Sequence, residues 1–136
     1  MEDVMKKWIA IEHLHATLNK QLEKYLRFQY DLSISQFTVI SILSEESSSG
    51  LTIQQLADKV TLSQSAISRL VARLETCHTV ERHFNERDRR SSHVRLTEQG
   101  MRAYKEALPG IAQVMNEALN NKVINEDKIL LKAIFQ

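Results

Sequence analysis

The stretch that decides the fold is TIQQLADKVTLSQSAISRLVARLET, residues 52–76. It contains two short amphipathic segments, and each follows a residue that is typical of a helix N-terminus, Thr52 or Ser63. Gln55 follows Thr52 at the spacing of a capping box. Only Thr61 and Leu62 stand between the first segment and the second cap. Two short helices joined by so tight a turn are predicted to form a helix-turn-helix.

The second helix of this pair has one apolar and one polar side. With about 100° of rotation per residue, its apolar side chains share one face: Ala66, Ile67, Leu70, Val71 and Leu74. The opposite face carries amides, hydroxyls, a methyl group and two guanidiniums, without an acidic group: Gln64, Ser65, Ser68, Arg69, Ala72 and Arg73. These are groups that pair with base edges and phosphates in the major groove of DNA. The alternative is a face that is polar only because water covers it.

The polar face is expected to contact DNA in two ways. The N-terminal part of a recognition helix lies deepest in the major groove. We therefore predict that the early residues read bases, namely Gln64, Ser65, Ser68 and Arg69. Arg73 lies one turn further on and is predicted to contact a phosphate.

The pattern changes from helix to strand after Cys77. Residues 80–84 and 93–97 alternate as half-buried strands do, and the segment between them, 85–92, is polar and rich in arginine. A two-stranded ribbon after a helix-turn-helix is a wing. Residues 63–97 hold seven basic residues, all arginine, and four acidic ones, a local charge of +3, whereas the rest of the chain carries −2. Because the arginine fork suits phosphate and guanine, this bias indicates a nucleic-acid partner.

Long helices are predicted on both sides of this central part. Residues 3–30 carry an apolar stripe with spacings of four and three, interrupted by one histidine: Val4, Trp8, Ile11, His15, Leu18, Leu22 and Tyr25. Such a stripe requires a partner, either within its own chain or in a second one. A further long helix begins at Thr97 or Glu98, and a last one follows Asn125. The predicted fold class is mainly α with a small β-wing.

Composition and motifs exclude several classes of protein. The chain has 136 residues, 43% of them hydrophobic, which suits one globular domain. No apolar run is long enough to span a membrane, and Met1-Glu2-Asp3 does not resemble the start of a signal peptide, so we expect a cytoplasmic protein without a membrane partner. Neither a glycine-rich phosphate loop nor a nucleophile elbow occurs, so we expect neither an enzyme nor a cofactor.

The histidines and the single cysteine raise the question of a metal site or a reactive thiol. His13 and His15 lie on opposite sides of a helix, and no set of side chains has the spacing of metal ligands, so no metal is expected. Cys77, the single cysteine, is expected to be a passive, partly buried thiol.

The alternative function from another class is a winged-helix protein-interaction module that does not bind DNA. Such a module would be expected to carry apolar anchors on the exposed face of its second helix, whereas the corresponding face of this chain is polar.

Several short motifs together resemble the MarR family of bacterial regulators. They are Leu70-Val71-Ala72-Arg73-Leu74-Glu75, Val80-Glu81-Arg82, Asp88-Arg89-Arg90 and Leu96-Thr97-Glu98-Gln99-Gly100. The Asp-x-Arg motif, followed by Leu-Thr and a glycine three residues later, is the most specific of them. The sequence departs from the family where Gly-Leu commonly precedes the first wing strand, because His78-Thr79 stand there. The glycine normally ends the recognition helix in a left-handed conformation, which strains a histidine.

The resemblance implies a homodimer that binds a pseudo-palindromic operator in double-stranded DNA. Arg90 would then enter the minor groove while Asp88 orients it, with Arg87 and Arg89 beside them. In a single MarR-like domain of residues 1–136, the DNA-binding part would be 33–97, and 3–30 and 98–136 would be dimerisation helices. The dimer residues would include Trp8, Ile11, Leu18, Leu22, Ile111, Met115 and Ile134. The resemblance also implies a repressor that a small phenolic or lipophilic effector releases from DNA.

Overall fold

The computed structural model describes residues 2–46, 49–85, 88–120, 129 and 132. Within this part of the chain, five helices and a two-stranded antiparallel sheet are formed. In chain order they are α1 (Glu2–Tyr30), α2 (Ile34–Ser44), α3 (Ile53–Val60), α4 (Gln64–Thr76), β1 (Val80–Asn85), β2 (Asp88–Leu96) and α5 (Glu98–Leu119). The predicted fold class, mainly α with a small β-wing, is confirmed.

The chain forms two compact units. One consists of residues 33–108 and holds the helix-turn-helix and the sheet. The other consists of residues 1–32 and 109–136. The first part of α5 belongs to the former unit and the part from Pro109 onwards to the latter.

Local side-chain caps define where the helices of the 33–108 unit begin. The predicted capping box is present, since the Thr52 hydroxyl accepts a hydrogen bond from the Gln55 amide and the Gln55 side chain accepts one from the Thr52 amide. Ser33 and Gln36 form a second box at the start of α2. The Ser63 hydroxyl caps α4 by accepting from the Ala66 amide at 3.2 Å. Because each cap satisfies an amide that the helix leaves unpaired, these residues set the helix starts.

The predicted apolar face of α4 lies in the core of this unit. Ile67, Val71 and Leu74 are buried, and Leu56 and Ala57 of α3 are buried as well. Residues from α2, the segment before α3, the sheet and α5 complete the core: Val39, Ile40, Leu43, Leu51, Val80, Val94 and Ala107. Burial of one face of α4 leaves its other face at the surface.

A third segment of the chain pairs with β2 at a single residue, Leu51. Leu51 donates a hydrogen bond from its amide to the Val94 carbonyl (3.0 Å) and accepts one from the Val94 amide (2.6 Å). Gly50, with a φ of +75°, precedes this bridge, and a Cβ at Gly50 would overlap the carbonyl oxygen of Val94. The bridge cannot be predicted from the sequence, because a single paired residue has no periodicity.

The second strand is longer than predicted. The alternation of side chains places its start at 93, whereas β2 begins at Asp88, so the predicted boundary is wrong. Its pairing is irregular, because Phe84 lies opposite Ser92 and the next residue, Asn85, opposite Asp88. Residues 88–92 are polar throughout, so no alternation of apolar and polar residues marks them as strand.

In the other unit, α1 and the second half of α5 approach closely at one point. Any Cβ at Gly110 would overlap the hydroxyl of Tyr25, so this glycine allows the contact. The Tyr25 ring also packs edge-on against Tyr30, with ring centroids 6.1 Å apart. Within the described residues, no helix is long and apolar enough to cross a membrane.

Candidate nucleic-acid interface

The exposed side of α4 contains the side chains that the sequence predicted. Gln64, Ser65, Arg69 and Arg73 are exposed, and Ser68 is half-buried. The Ser65 hydroxyl lies 3.2 Å from the hydroxyl of the capping residue Ser63. The helix therefore presents an amide, hydroxyls and two guanidiniums side by side, which can all bond base edges or phosphates.

The charges on this helix are not balanced. Among the described residues, no hydrogen bond or ion pair engages the guanidinium of Arg69 or Arg73. Glu75 is the single acidic residue of α4, and its carboxylate pairs with Arg82 of β1, Oε1 to Nε 3.2 Å. Both cations of the face are thus available to an anionic partner, while the one carboxylate has a counter-charge.

The end of α4 is a tight turn centred on His78. The His78 amide donates to the Glu75 carbonyl (3.0 Å) and the Thr79 amide to the Leu74 carbonyl (2.9 Å), which together make a Schellman motif. This motif requires a left-handed residue, and His78 has a φ of +60°. The departure from the family sequence at this position therefore leaves the left-handed turn in place, with a histidine where the family commonly has glycine.

A second turn in this region also contains a residue other than glycine with a positive φ. Thr61, between the two helices of the helix-turn-helix, has a φ of +60° and ends α3, its amide donating to the Ala57 carbonyl at 3.1 Å. A β-branched residue rarely adopts this conformation. Both turns that orient α4 are therefore held in a strained conformation by their surroundings.

Thr97 joins the end of the wing to the turn that follows α4. Its hydroxyl donates to the carbonyls of His78 (2.7 Å) and Thr79 (3.1 Å) and accepts from the Gly100 amide (3.0 Å). A Cβ at Gly100 would overlap the Thr79 carbonyl oxygen. This geometry explains the Leu-Thr-x-x-Gly motif, because the threonine links three backbone groups and the glycine lets α5 start close to the turn.

The described part of the chain covers the wing incompletely. Arg87 lies outside the described residues. Asp88, Arg89 and Arg90 belong to β2, and their side chains lie outside the described ones. The predicted roles of these four wing residues stay predictions.

Several residues of this surface were not predicted from the sequence. Phe84 on β1 is 61% exposed, and His83 beside it pairs with Glu81 at 2.9 Å. Arg82 and Glu75, the pair described above, were also missed. The ribbon alternation could have placed Phe84 and Arg82 on one face, but it does not show which other element that face meets.

The expectation about Cys77 is wrong in one respect. Cys77 is exposed rather than partly buried. It is the C-cap of α4 and follows the last helical turn, so its side chain no longer lies on the buried face. Among the described residues, no group of three or more histidines, cysteines or carboxylates could hold a metal ion.

The predicted dimer residues form no closed core in the single chain. Trp8 and Ile11 on α1 are 53% and 38% exposed, and Leu18 and Leu22 are half-buried. Ile111 and Met115 on α5 are half-buried as well, and Ile134 lies outside the described residues. Apolar neighbours at the start of α1 are also exposed, namely Val4, Met5 and Ile9.

Comparison with known proteins assigns this architecture to a family. Residues 30–91, which hold the helix-turn-helix and most of the wing, match the sequence model of the MarR family. An HTH-type transcriptional regulator of Bacillus cereus is 31% identical over 89% of this chain and 78% of its own length. The chain belongs to the MarR family. It is a MarR-family transcriptional regulator with a winged helix-turn-helix.

Solved structures agree on the fold of this MarR-family chain. The crystal structure of Sco3205, a MarR family transcriptional regulator from Streptomyces coelicolor, in complex with DNA, has a TM-score of 0.78 and 23% identity, covering 94% of this chain and 80% of that one. The transcriptional regulator BldR from Sulfolobus solfataricus has a TM-score of 0.77 and 25% identity, covering 98% of this chain and 95% of that one. Both cover the two units described above.

Proposed function

We propose that this MarR-family regulator binds double-stranded DNA as a homodimer, with α4 in the major groove and the wing in the adjacent minor groove. The observation that carries the proposal is the polar face of α4, where Arg69 and Arg73 have no partner among the described residues. The related fold of Sco3205 is bound to DNA. A protein-interaction module is not favoured, because the exposed face of α4 presents no large apolar anchor.

The homodimer proposal is supported by the start of α1. Val4, Met5, Trp8 and Ile9 are each more than half exposed there. A contiguous apolar patch of this kind is unusual on a monomer and typical of an interface. Two copies would place two α4 helices on DNA about one helical turn apart, which predicts a pseudo-palindromic operator.

We extend the proposal to repression that a small phenolic or lipophilic effector relieves. Its support is a cavity of about 360 Å³ between α1 and the second half of α5, lined by Thr17, Gln21, Lys24, Tyr25, Phe28, Val114, Glu117 and Ala118. Cavities of this size hold small ligands. Two aromatic rings and two opposite charges would suit a ring with a polar substituent. A bacterial regulator acts on the chromosome, so we place this protein in the cytoplasm. We also propose that it has no catalytic activity.

DNA binding is tested by selection from a randomised duplex library, followed by footprinting of the enriched sequence. The expected result is an inverted repeat with half-sites about one helical turn apart and an affinity that falls steeply with salt. The Arg69→Ala, Arg73→Ala double variant is the control for α4. If no sequence is enriched and any weak binding ignores salt, DNA binding is refuted.

Effector release is tested on the same footprinted site. A hydroxybenzoate is titrated against the protein–DNA complex, and acetate at equal ionic strength serves as the control. The hydroxybenzoate is expected to release the protein from DNA, whereas acetate is not. Tyr25→Ala is expected to weaken this release. Equal release by both salts would show only electrostatic screening.

A further inference from the structure

An ion pair joins the two parts of the proposed DNA-binding surface. Arg82 of β1 and Glu75 in the last turn of α4 lie 3.2 Å apart, Nε to Oε1, with side-chain exposures of 21% and 43%. The Arg82 Nε atom itself is buried and has no aligned hydrogen-bond acceptor among the described residues, so the Glu75 carboxylate is its counter-charge.

Arg82 lies at the base of the wing, where the ribbon meets the core. It is opposite Val94 in the ribbon register, and Val94 is fully buried and bridged to Leu51. Directly opposite residues of an antiparallel pair share a face, so the Arg82 stem lies on the inner face. Its head reaches from that face to the end of α4.

The backbone link between the two elements is short. Cys77, His78 and Thr79 connect α4 to β1, and Thr97 holds the carbonyl side of this turn. These hydrogen bonds fix backbone at one end of the junction. The buried side chains of Val80 and Val94 and the Leu51–Val94 bridge hold the base of the ribbon in the core. The Glu75–Arg82 pair adds a side-chain contact directly between the ribbon and the last turn of α4.

The position of Glu75 is otherwise unfavourable. A carboxylate in the last turn of a helix opposes the helix dipole. On a DNA-binding helix it also repels phosphates. Partly exposed ion pairs contribute little to stability. Besides supplying the counter-charge of Arg82, a glutamate here gains little in stability and does not favour DNA binding by its charge.

We propose that Glu75 and Arg82 are positioning residues that fix the wing relative to the recognition helix, so that both engage DNA in a single register. This inference rests on the proposed DNA binding. Neither side chain has to contact DNA itself. The pair acts by limiting how far the wing can move relative to α4, which DNA binding would otherwise have to restrict.

Neutralising Glu75 separates this inference from simple electrostatics, because the two accounts predict opposite signs. If only charge matters, Glu75→Gln binds DNA more tightly and Arg82→Gln more weakly. If the pair positions the wing, both variants bind more weakly by a similar factor, on the order of threefold to tenfold. The double variant then loses no more than either single one.

The experiment measures binding of these variants to the enriched duplex, together with footprints and unfolding midpoints. A positioning role removes protection of the flanks that the wing covers and leaves base preference within the half-sites unchanged. If the pair positions the wing, Glu75→Gln should also leave DNA affinity unchanged in an Arg90→Ala background. The matched control is Glu23→Gln with Arg27→Gln, an exposed ion pair of 3.1 Å within α1 that should leave flank protection unchanged.

Failure of the inference and failure of the proposed function give different results. If the wild-type chain enriches no duplex, the proposed function fails. If the wild type binds and Glu75→Gln binds equally or more tightly, the positioning role is overturned and DNA binding stands. A loss that adds fully to that of Arg90→Ala, or that tracks a lowered unfolding midpoint, also overturns it.

Discussion

The Thr97 hydroxyl donates a 2.7 Å hydrogen bond to the carbonyl of His78, the left-handed residue that ends the recognition helix. The same hydroxyl caps α5 through the Gly100 amide. One side chain therefore links the end of α4, the end of the wing and the start of α5. A strained residue persists only where its surroundings hold it, and Thr97 supplies part of that restraint.

Thr97→Val is expected to destabilise the fold by about 1–3 kcal/mol, because it removes the hydroxyl while keeping the shape. Chemical denaturation measures this loss. Thr38→Val is the control, since the Thr38 hydroxyl makes a single local bond to the Ile34 carbonyl. Equal losses in both variants would contradict the linking role of Thr97.

His78→Gly is expected to stabilise the protein by about 1 kcal/mol, because glycine adopts a positive φ without the clash that a Cβ causes. Cys77→Gly is the matched control, since Cys77 has an ordinary φ of −85° and glycine there adds only flexibility to the unfolded chain. Thermal unfolding should therefore shift upwards for the first variant and downwards for the second. A lower midpoint for His78→Gly would refute the strain.

Trp8→Ser combined with Ile11→Ser is expected to convert the proposed dimer into a folded monomer. Both side chains are exposed in the single chain, so their loss should spare the fold and weaken only the interface. Phe28→Ser is the control, because Phe28 is 85% exposed on the same helix but lies off the predicted stripe. Sedimentation equilibrium decides the outcome, and an unchanged dimer in the double variant would exclude this surface.

Arg69→Ala and Arg90→Ala are expected to differ in kind. The first should relax base preference at one or two positions of each half-site, at about 1–3 kcal/mol per lost bidentate contact. The second should weaken binding to most sequences and reduce the salt slope by about one. Arg102→Ala removes an exposed charge from α5 and controls for net charge. Identical profiles over a randomised operator library would contradict the division between helix and wing.

Gly110→Ala is expected to destabilise the 1–32 and 109–136 unit, although alanine for glycine inside a helix usually stabilises by about 1 kcal/mol. The added Cβ would overlap the Tyr25 hydroxyl, and overpacking of this kind costs about 1–3 kcal/mol. In a Tyr25→Ala background the sign should reverse. Four unfolding free energies complete this cycle, and a stabilising effect in the wild-type background would refute the close contact.

The sequence by itself determined the helix-turn-helix and its polar face. Caps such as Thr52–Gln55 and Ser63–Ala66 act over three residues, and the apolar residues that form the buried face of α4 recur every three or four residues. Local sequence therefore carries these features in full. The family resemblance implied a left-handed residue at the end of this helix, and the structure shows that His78 adopts that conformation.

Only the tertiary structure decided which groups meet across the fold. Leu51 pairs with Val94, Glu75 with Arg82, and Thr97 with His78, and none of these pairs has a fixed spacing in the sequence. It also placed Cys77 at the surface and began β2 at Asp88, where polar residues hide the alternation. The physical reason is that such contacts depend on how separate elements pack, and each element's own periodicity specifies a buried face without naming the residue that covers it.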